Sequence, residues 1–332
     1  MLISIIITTK NEEANIKNCL DSILNQNYPK NNIEIIVVDN NSTDKTKNIV
    51  EEFKRGFTQL NTKLFNYGPE RSAQRNFGVE KSSGDYFLYL DADMTLSENV
   101  IRDCVDKACP FASGQCNTTA ITDKSSNNKL EDGKIIKSAG VKNSKLEIGN
   151  SDVVGLYISE IVTGKKFWSK VRRFERSFYD GTVIDCVRFV KKDAFQKVGG
   201  FDENLTGPED WDFDKKIRNL GRACPDDCSN NLFGVALIKT PIYHNEAEFN
   251  LKKYINKKGY YAQKFDQYIA KWGKNDPDIK KQLGIYYRFF GVFLENRKWK
   301  NMIVHPILTA GMLALRFFVG LKYLARKTKV TS

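Results

Sequence analysis

The sequence predicts an α/β fold, a mostly parallel sheet with helices on both faces, followed by a helical extension rich in basic and aromatic residues. Three observations lead there. The first hundred residues alternate short apolar runs with segments of helical period. Those apolar runs are continuous, as in strands buried on both faces of a parallel sheet. Beyond residue 250 the composition changes, with 18 Lys and Arg against four acids, while the first 250 residues are slightly acidic.

The elements follow in order. Residues 2–8 read as the first strand, and Asn11 is placed to cap a helix carrying Ile16, Leu20, Ile23 and Leu24 on one face. Tyr28 and Pro29 end it. Residues 33–38 form a second strand, and Ser42 or Thr43 opens the next helix. A weaker strand around Leu64 and Phe65 leads into a third helix from about Glu70, and residues 86–90 form the strand that ends in Asp91-Ala92-Asp93. In a parallel sheet Thr8, Asp39 and Asp91 then end neighbouring strands on one edge, the edge where open α/β sheets bind ligands. No Gly-x-Gly-x-x-Gly follows the first strand, which argues against a dinucleotide fold and leaves phosphate binding to side chains and metal.

Two carboxylates one residue apart at the end of a rigid strand suit a divalent cation, Mn2+ or Mg2+, held against phosphates. Arg71 and Arg75 lie one helical turn apart and share a face, where guanidinium groups suit phosphate oxygens or pair with acids of the protein. Glu209 and Asp210 open a helix just after Pro208, where carboxylates are favoured as ordinary first-turn residues and are also well placed to act as a base. Residues 88–95 fit a rival pattern as well, that of haloacid dehalogenase-like phosphatases, with Asp91 as the phosphorylated nucleophile. That motif normally opens its domain and is followed by a Gly-Asp-x-x-x-Asp metal motif, neither of which holds here. A calcium loop lacks its third ligand and its turn glycine.

Four motifs in order resemble those of inverting glycosyltransferases of family 2, with the GT-A fold. They are residues 5–13 (Ile-Ile-Ile-Thr-Thr-Lys-Asn-Glu-Glu), 34–44 (Glu-Ile-Ile-Val-Val-Asp-Asn-Asn-Ser-Thr-Asp), 71–78 (Arg-Ser-Ala-Gln-Arg-Asn-Phe-Gly) and 84–93 (Gly-Asp-Tyr-Phe-Leu-Tyr-Leu-Asp-Ala-Asp). Residues 198–203 (Val-Gly-Gly-Phe-Asp-Glu) and 207–212 (Gly-Pro-Glu-Asp-Trp-Asp) are similar to the family's acceptor-side segment. The resemblance implies a GT-A catalytic domain over residues 1–245, with a nucleotide-binding half (1–100) and an acceptor-side half (101–245). It implies that Thr8, Glu12 and Asp39 line the nucleoside pocket, and that Arg71, Arg75, Asp91, Ala92 and Asp93 surround the diphosphate of a nucleotide-sugar donor. Asp93, with Asp91, would hold the metal, and His244 would add a third contact. Asp210 would be the catalytic base, with Glu209 beside it and Asp212 in reserve. The chain departs from the family's Pro-x-Tyr-Asn-Glu opening, with Thr8 and Lys10 in place of Pro and Tyr, and lacks the Gln-x-x-Arg-Trp of its processive synthases. Transfer of one sugar is therefore expected over polymerisation. A sugar-nucleotide binding module without catalysis would need the donor motifs but not the acidic pair.

The net charge of +12 resides in residues 246–332, which read as a membrane-associating extension without any nucleic-acid motif. Residues 302–324 approach the length of a spanning helix, but Arg316 and Lys322 interrupt them, which favours an interfacial or shallow re-entrant helix pair on an anionic membrane surface. A homo-oligomer through the same helices is the bland alternative, and His305 within them reads as structural. A lipid-linked or glycan acceptor follows from that extension. Residues 165–174 are a second surface contact or an ordinary amphipathic helix. Met1 runs straight into a core strand, so no signal peptide is expected, and seven scattered cysteines fit reduced thiols, the close pair Cys224 and Cys228 included. Together these place the protein on the cytoplasmic side of the cell membrane, peripheral or monotopic.

Overall fold

The computed structural model of the chain describes residues 1–109, 153–222 and 234–330. Strands β1 (Ile3–Thr9), β2 (Ile33–Asp39), β3 (Asn61–Asn66) and β4 (Tyr86–Asp91) alternate with helices α1 (Ile16–Leu24), α2 (Thr46–Gly56) and α3 (Arg71–Glu80). The short strand β5 (Met94–Leu96) and helix α4 (Val100–Ala108) follow, then β6 (Val153–Thr163), α5 (Phe167–Arg176), β7 (Phe189–Lys191), α6 (Lys192–Lys197), α7 (Glu209–Arg222) and β8 (Gly234–Asn245). The eight strands form one sheet in the order β3-β2-β1-β4-β7-β6-β8-β5. Its first half is parallel as expected, while β7 and β5 run antiparallel to their neighbours.

Side-chain alternation divides the strand residues between two cores. Ile3, Ile5, Ile7, Leu88 and Leu90 face α1, α2 and α4, whereas Ile6, Phe87 and Tyr89 face α3, α6 and α7. Burial on both faces explains why the runs read as continuous. The register pairs Thr8 with Asp91 and Thr9 with Asp39, so the three strand ends do share one edge.

Two helices begin later than the sequence suggested, for one reason. Asn11 does not cap α1; it sits at φ 54° and its Oδ1 accepts from the Thr43 amide at 2.8 Å, tying the loop after β1 to the loop after β2. Ser42 accepts from the Asn11 amide at 2.8 Å and donates to Asp39, and α2 starts only at Thr46, whose amide reaches Asp44 at 2.9 Å. The polar residues that looked like caps lock the edge loops together instead.

The extension comprises α8 (Leu251–Tyr261), α9 (Phe265–Trp272), α10 (Pro277–Leu283), a π-helical turn at Tyr287–Gly291, the short α11 (Val292–Leu294) and α12 (Lys300–Val304), and the long α13 (Pro306–Val330). It packs on the sheet domain through two apolar clusters. One joins Val171, Phe174 and Phe178 of the α5 region to Val292, Phe293, Met312 and Leu315. The other joins Leu205 to Tyr268 and Ile279. Of residues 165–174, those from Phe167 on thus belong to the helix that receives the extension. Cys224 and Cys228 lie outside the described residues.

Arg316 changes meaning in this setting. It does not meet lipid; it is 5% exposed, with Nε 3.1 Å from Glu175 and Nη2 donating to the Tyr179 hydroxyl at 2.9 Å. Burial would raise the Glu175 carboxyl, but Arg172 and Arg316 outweigh it and hold the group well below the usual carboxylate range. Replacing Arg316 with Met leaves one charge of this cluster undercompensated, so urea unfolding should show a loss of about 3 kcal/mol. An unchanged midpoint would mean that the cluster contributes nothing net.

Candidate active site

The β4–β5 turn carries the Asp-x-Asp pair past the sheet edge. Asp91 is the last residue of β4, Ala92 is buried with its amide donating to the Thr8 carbonyl at 3.2 Å, and Asp93 precedes β5. Because β5 pairs with β8, Met94 lies opposite His244, and the Asn245 amide donates to the Asp93 carbonyl at 2.9 Å. A residue 151 positions beyond Asp93 is thereby set beside the pair.

Asp91 is a junction. Its Oδ1 accepts from Thr8 Oγ1 at 3.0 Å and from Arg75 Nη2 at 3.1 Å, and its Oδ2 lies 3.3 Å from Arg71 Nη1. Burial pushes its carboxyl up, but Arg75 and Arg71 outweigh that and hold it well below the usual carboxylate range. The same two arginines reach α7: Arg71 Nη2 is 3.1 Å from Glu209 Oε1, and Arg75 Nη1 is 2.7 Å from Asp210 Oδ1. Helix α3 thus links the strand-end carboxylates to the acidic pair.

The two arginines differ in access. Arg71 lines an open cleft of about 250 Å³ with Thr8, Glu12, Asp91, Ala92 and Asp93. Arg75 is 1% exposed, its guanidinium 4.6 Å from the Tyr89 ring centroid and 5.2 Å from that of Phe201, with its ionic contacts taken by Asp210 and Asp91. It is not among the residues that line this cleft, and of the two roles the sequence left open, phosphate contact or pairing with acids, its contacts here are the second. Asp39 is likewise held within the protein. It is fully buried, accepts from the Ser42 amide at 2.8 Å and from the Ser42 hydroxyl, and is not among the residues that line this cleft. Glu12 does line the cleft, where burial raises its carboxyl and Asn15 donates to it at 2.7 Å.

The acidic helix start separates by exposure. The side chain of Asp210 is 27% exposed, that of Glu209 2% and that of Asp212 0%. Burial, then the neighbouring Asp210, pushes the Glu209 carboxyl up. Glu209 accepts from the Gly207 amide in its own helix entry. Asp212 is held by Lys216 at 3.0 Å, Lys271 at 2.8 Å and the Trp272 indole at 2.8 Å, so the reserve candidate anchors the extension. Of the three, Asp210 alone reaches solvent.

His244 lies between two carboxylates, with Nε2 3.2 Å from Asp93 Oδ2 and Nδ1 3.0 Å from Glu160 Oε1. Burial would lower its pKa, but hydrogen bonds to Asp93 and Glu160 outweigh this and raise it to about 10. Both ring nitrogens of His244 are thus engaged by carboxylates, which fixes the ring beside Asp93. Among the described residues no three acidic, imidazole or thiol groups cluster as a metal site. Asp93 Oδ1, by contrast, is buried without a hydrogen-bond partner, which fits a carboxylate awaiting a cation completed by donor phosphates.

Sequence reasoning missed two groups. Glu160, on β6, takes ion pairs from Arg176 at 3.1 Å and Arg188 at 3.0 Å besides His244, and its one signal was a lone charge in an apolar run. Lys257 and Tyr261 of α8 line the cleft, and Arg71 Nη2 donates to the Tyr261 hydroxyl at 3.0 Å. Gly207, at φ +104°, admits that approach, since a Cβ there would meet Tyr261.

The His244 pair also sets a pH dependence. A folded pKa above the unfolded value of about 6.5 means that its contribution is complete below that pH and is lost as pH rises toward 10. In EDTA, the melting-temperature advantage of the native protein over His244→Gln should shrink steadily from pH 6.5 to 10. A pH-independent difference would contradict the pairing.

Comparisons with known proteins give the family and the fold. The family model for glycosyl transferase family 2 matches residues 4–199. Glycosyltransferase AglE of Haloferax volcanii is 40% identical over 91 residues, 27% of this chain and 30% of that one. The dolichyl N-acetyl-α-D-glucosaminyl phosphate 3-β-D-2,3-diacetamido-2,3-dideoxy-β-D-glucuronosyltransferase of Methanococcus voltae is 26% identical over 221 residues, 66% of this chain and 62% of that one. The chain thus spans less than two thirds of either relative. Among solved structures, the mannosyltransferase PcManGT of Pyrobaculum calidifontis, in complex with GDP-Man and Mn2+, matches with a TM-score of 0.54 at 16% identity over 97% of this chain and 86% of that one. TarS 1–349 of S. aureus with UDP-GlcNAc gives 0.50 at 16% identity over 89% and 76%. These two likenesses concern the fold, which is of the GT-A type. With the family model covering more than half of its length, the chain belongs to glycosyl transferase family 2.

Proposed function

We propose that the protein is a metal-dependent, inverting glycosyltransferase that moves one sugar from a nucleotide-sugar donor to a lipid-linked acceptor at the cytoplasmic membrane surface. One observation carries the reading: Asp91, Arg71, Arg75 and Asp210 form a chain of direct ion pairs from the donor cleft to a solvent-open carboxylate. A phosphatase would need an Asp91 oxygen open to phosphorus, and both oxygens are engaged. A binding module would have no use for the open Asp210.

In this reading the nucleoside diphosphate occupies the cleft lined by Thr8, Glu12, Arg71 and Lys257. Arg71, cationic and only partly buried, exchanges its contact with Glu209 for phosphate oxygens. Asp93 would hold a divalent cation through Oδ1, and such a cation neutralises charge on the departing diphosphate. The Mn2+ named with the Pyrobaculum mannosyltransferase is in keeping with that assignment. Asp210, fixed by Arg75, accepts the proton of the acceptor hydroxyl as its oxygen bonds to the anomeric carbon on the face opposite the leaving group. The sugar–phosphate bond breaks and the nucleoside diphosphate leaves with its electron pair. The exposed basic extension supports a membrane surface, and the Methanococcus relative's name specifies a dolichyl-linked substrate.

Asp210→Asn keeps the shape and removes the base. Transfer, measured on a panel of nucleotide sugars, should fall by about 100-fold or more while donor binding stays near native. Equal loss of donor binding would shift the base assignment to another group. Asp93→Ala should abolish the metal dependence of nucleoside diphosphate binding in calorimetry. Unchanged affinity and metal dependence would remove Asp93 from the site.

A further inference from the structure

Helix α13 has two apolar faces, and α5 of the sheet domain and α8 of the extension cover one of them. Gly311, Met312, Leu315 and Arg316 are buried against α5 and α8, and a Cβ on Gly311 would meet Val171 and Phe167. On the other side Ile307, Ala310, Ala314, Phe317 and Leu321 recur at spacings of three and four residues, which makes a single stripe. Ile307 is 74% exposed, Phe317 55% and Leu321 46%. Just before it Ile303 and Val304 are each 69% exposed. The 18 residues Pro306–Tyr323 are long and apolar enough to cross a membrane by length and composition, yet only 22% of them are buried in the protein. A helix that is apolar all round is one covered all round.

Charge identifies what covers it. From residue 296 to the end there is no Asp or Glu, and seven Lys and Arg stand there besides the internally paired Arg316. A second copy of the chain on this stripe would oppose one acid-free basic segment to another. An anionic bilayer supplies both an apolar interior and the opposite charge. Orientation follows from the inner face. The helix is held along its length, by Gly311 against α5, by Arg316 on Glu175 and by the Tyr323 ring 5.9 Å from that of Phe265. To cross a bilayer it would have to strip Arg316 from Glu175, whereas lying flat it exposes the stripe at no such cost.

We infer that the outer stripe of α13, with Ile303 and Val304, is a docking face for an anionic lipid surface, on which the helix lies in the membrane plane. This rests on the membrane-surface reading above and adds the residues and the orientation. It also links the membrane to the donor cleft, because α8 touches α13, with Gly259 against the Lys322 side chain, and carries Lys257 and Tyr261 into the cleft.

The test is flotation of the full chain with phosphatidylcholine vesicles, with and without phosphatidylglycerol, comparing the native protein with Ile307→Glu/Phe317→Glu. Both positions are exposed, so thermal melting and nucleoside diphosphate binding should be unchanged. The native protein should float with anionic vesicles, more weakly at about 1 M salt, and the double variant should lose about tenfold or more of that binding. A variant that floats like the native protein would overturn the docking face while leaving membrane association standing. A native protein that transfers sugar but ignores anionic vesicles would overturn both. Sedimentation showing a native dimer that the variant dissolves, without vesicle binding, would assign the stripe to a second copy instead and overturn the proposal.

Discussion

The Asp91 carboxylate, with a guanidinium on each of its oxygens, is the contact on which the site depends. Strand β4 delivers it to the sheet edge, and α3 delivers Arg71 and Arg75 one turn apart on the face that meets it. Each arginine has a second partner on α7, so three separate segments share one charge network. Buried charges of this kind are costly to separate, which is why the network can fix the distance between the donor cleft and Asp210. Arg75, enclosed by Tyr89 and Phe201, is the rigid half. Arg71, at the cleft wall, is the half that a phosphate can recruit.

The C-terminal helices are part of this construction and not a detachable tail. Trp211, one residue after Asp210, packs with Phe265 and Tyr268 of the extension. Asp212 is held by Lys271 and Trp272. The position of Asp210 thus rests on α9 as well as on α7. Tyr261 repeats the arrangement on the donor side, entering over Gly207 to accept from Arg71. The proposed lipid-docking face and the cleft lining are joined through one short helix, α8.

Much of this was legible in the sequence, because parallel strands buried on both faces leave continuous apolar runs and deposit their polar residues at one edge. Thr8, Asp91 and Asp93 were readable for that reason, and so was the start of α7 after Pro208. What escaped depended on contacts far apart in the chain. Ser42 and Asn11 looked like helix caps because local spacing cannot distinguish a cap from a hydroxyl or amide that ties two loops. The resemblance implied that Asp39 lines the nucleoside pocket, while its bonds to Ser42, a matter of three-dimensional closure, could not be read from the sequence. Arg316 looked like a charge in a membrane segment until Glu175, on another helix, was found beside it. Lys257 was counted into a basic tail, whereas its place is set by how α8 packs.

The central claim is that Asp93 and Arg71 receive the donor's diphosphate while Arg75 keeps Asp210 in place. Crystals grown with a nucleoside diphosphate and Mn2+, with anomalous diffraction measured at the manganese edge, test it most directly. The account predicts one Mn2+ about 2.1 Å from Asp93 Oδ1 and phosphate oxygens, Arg71 turned from Glu209 to the diphosphate, and the Arg75–Asp210 pair unbroken. Manganese held elsewhere, or a diphosphate bound with Arg71 still on Glu209, would contradict it.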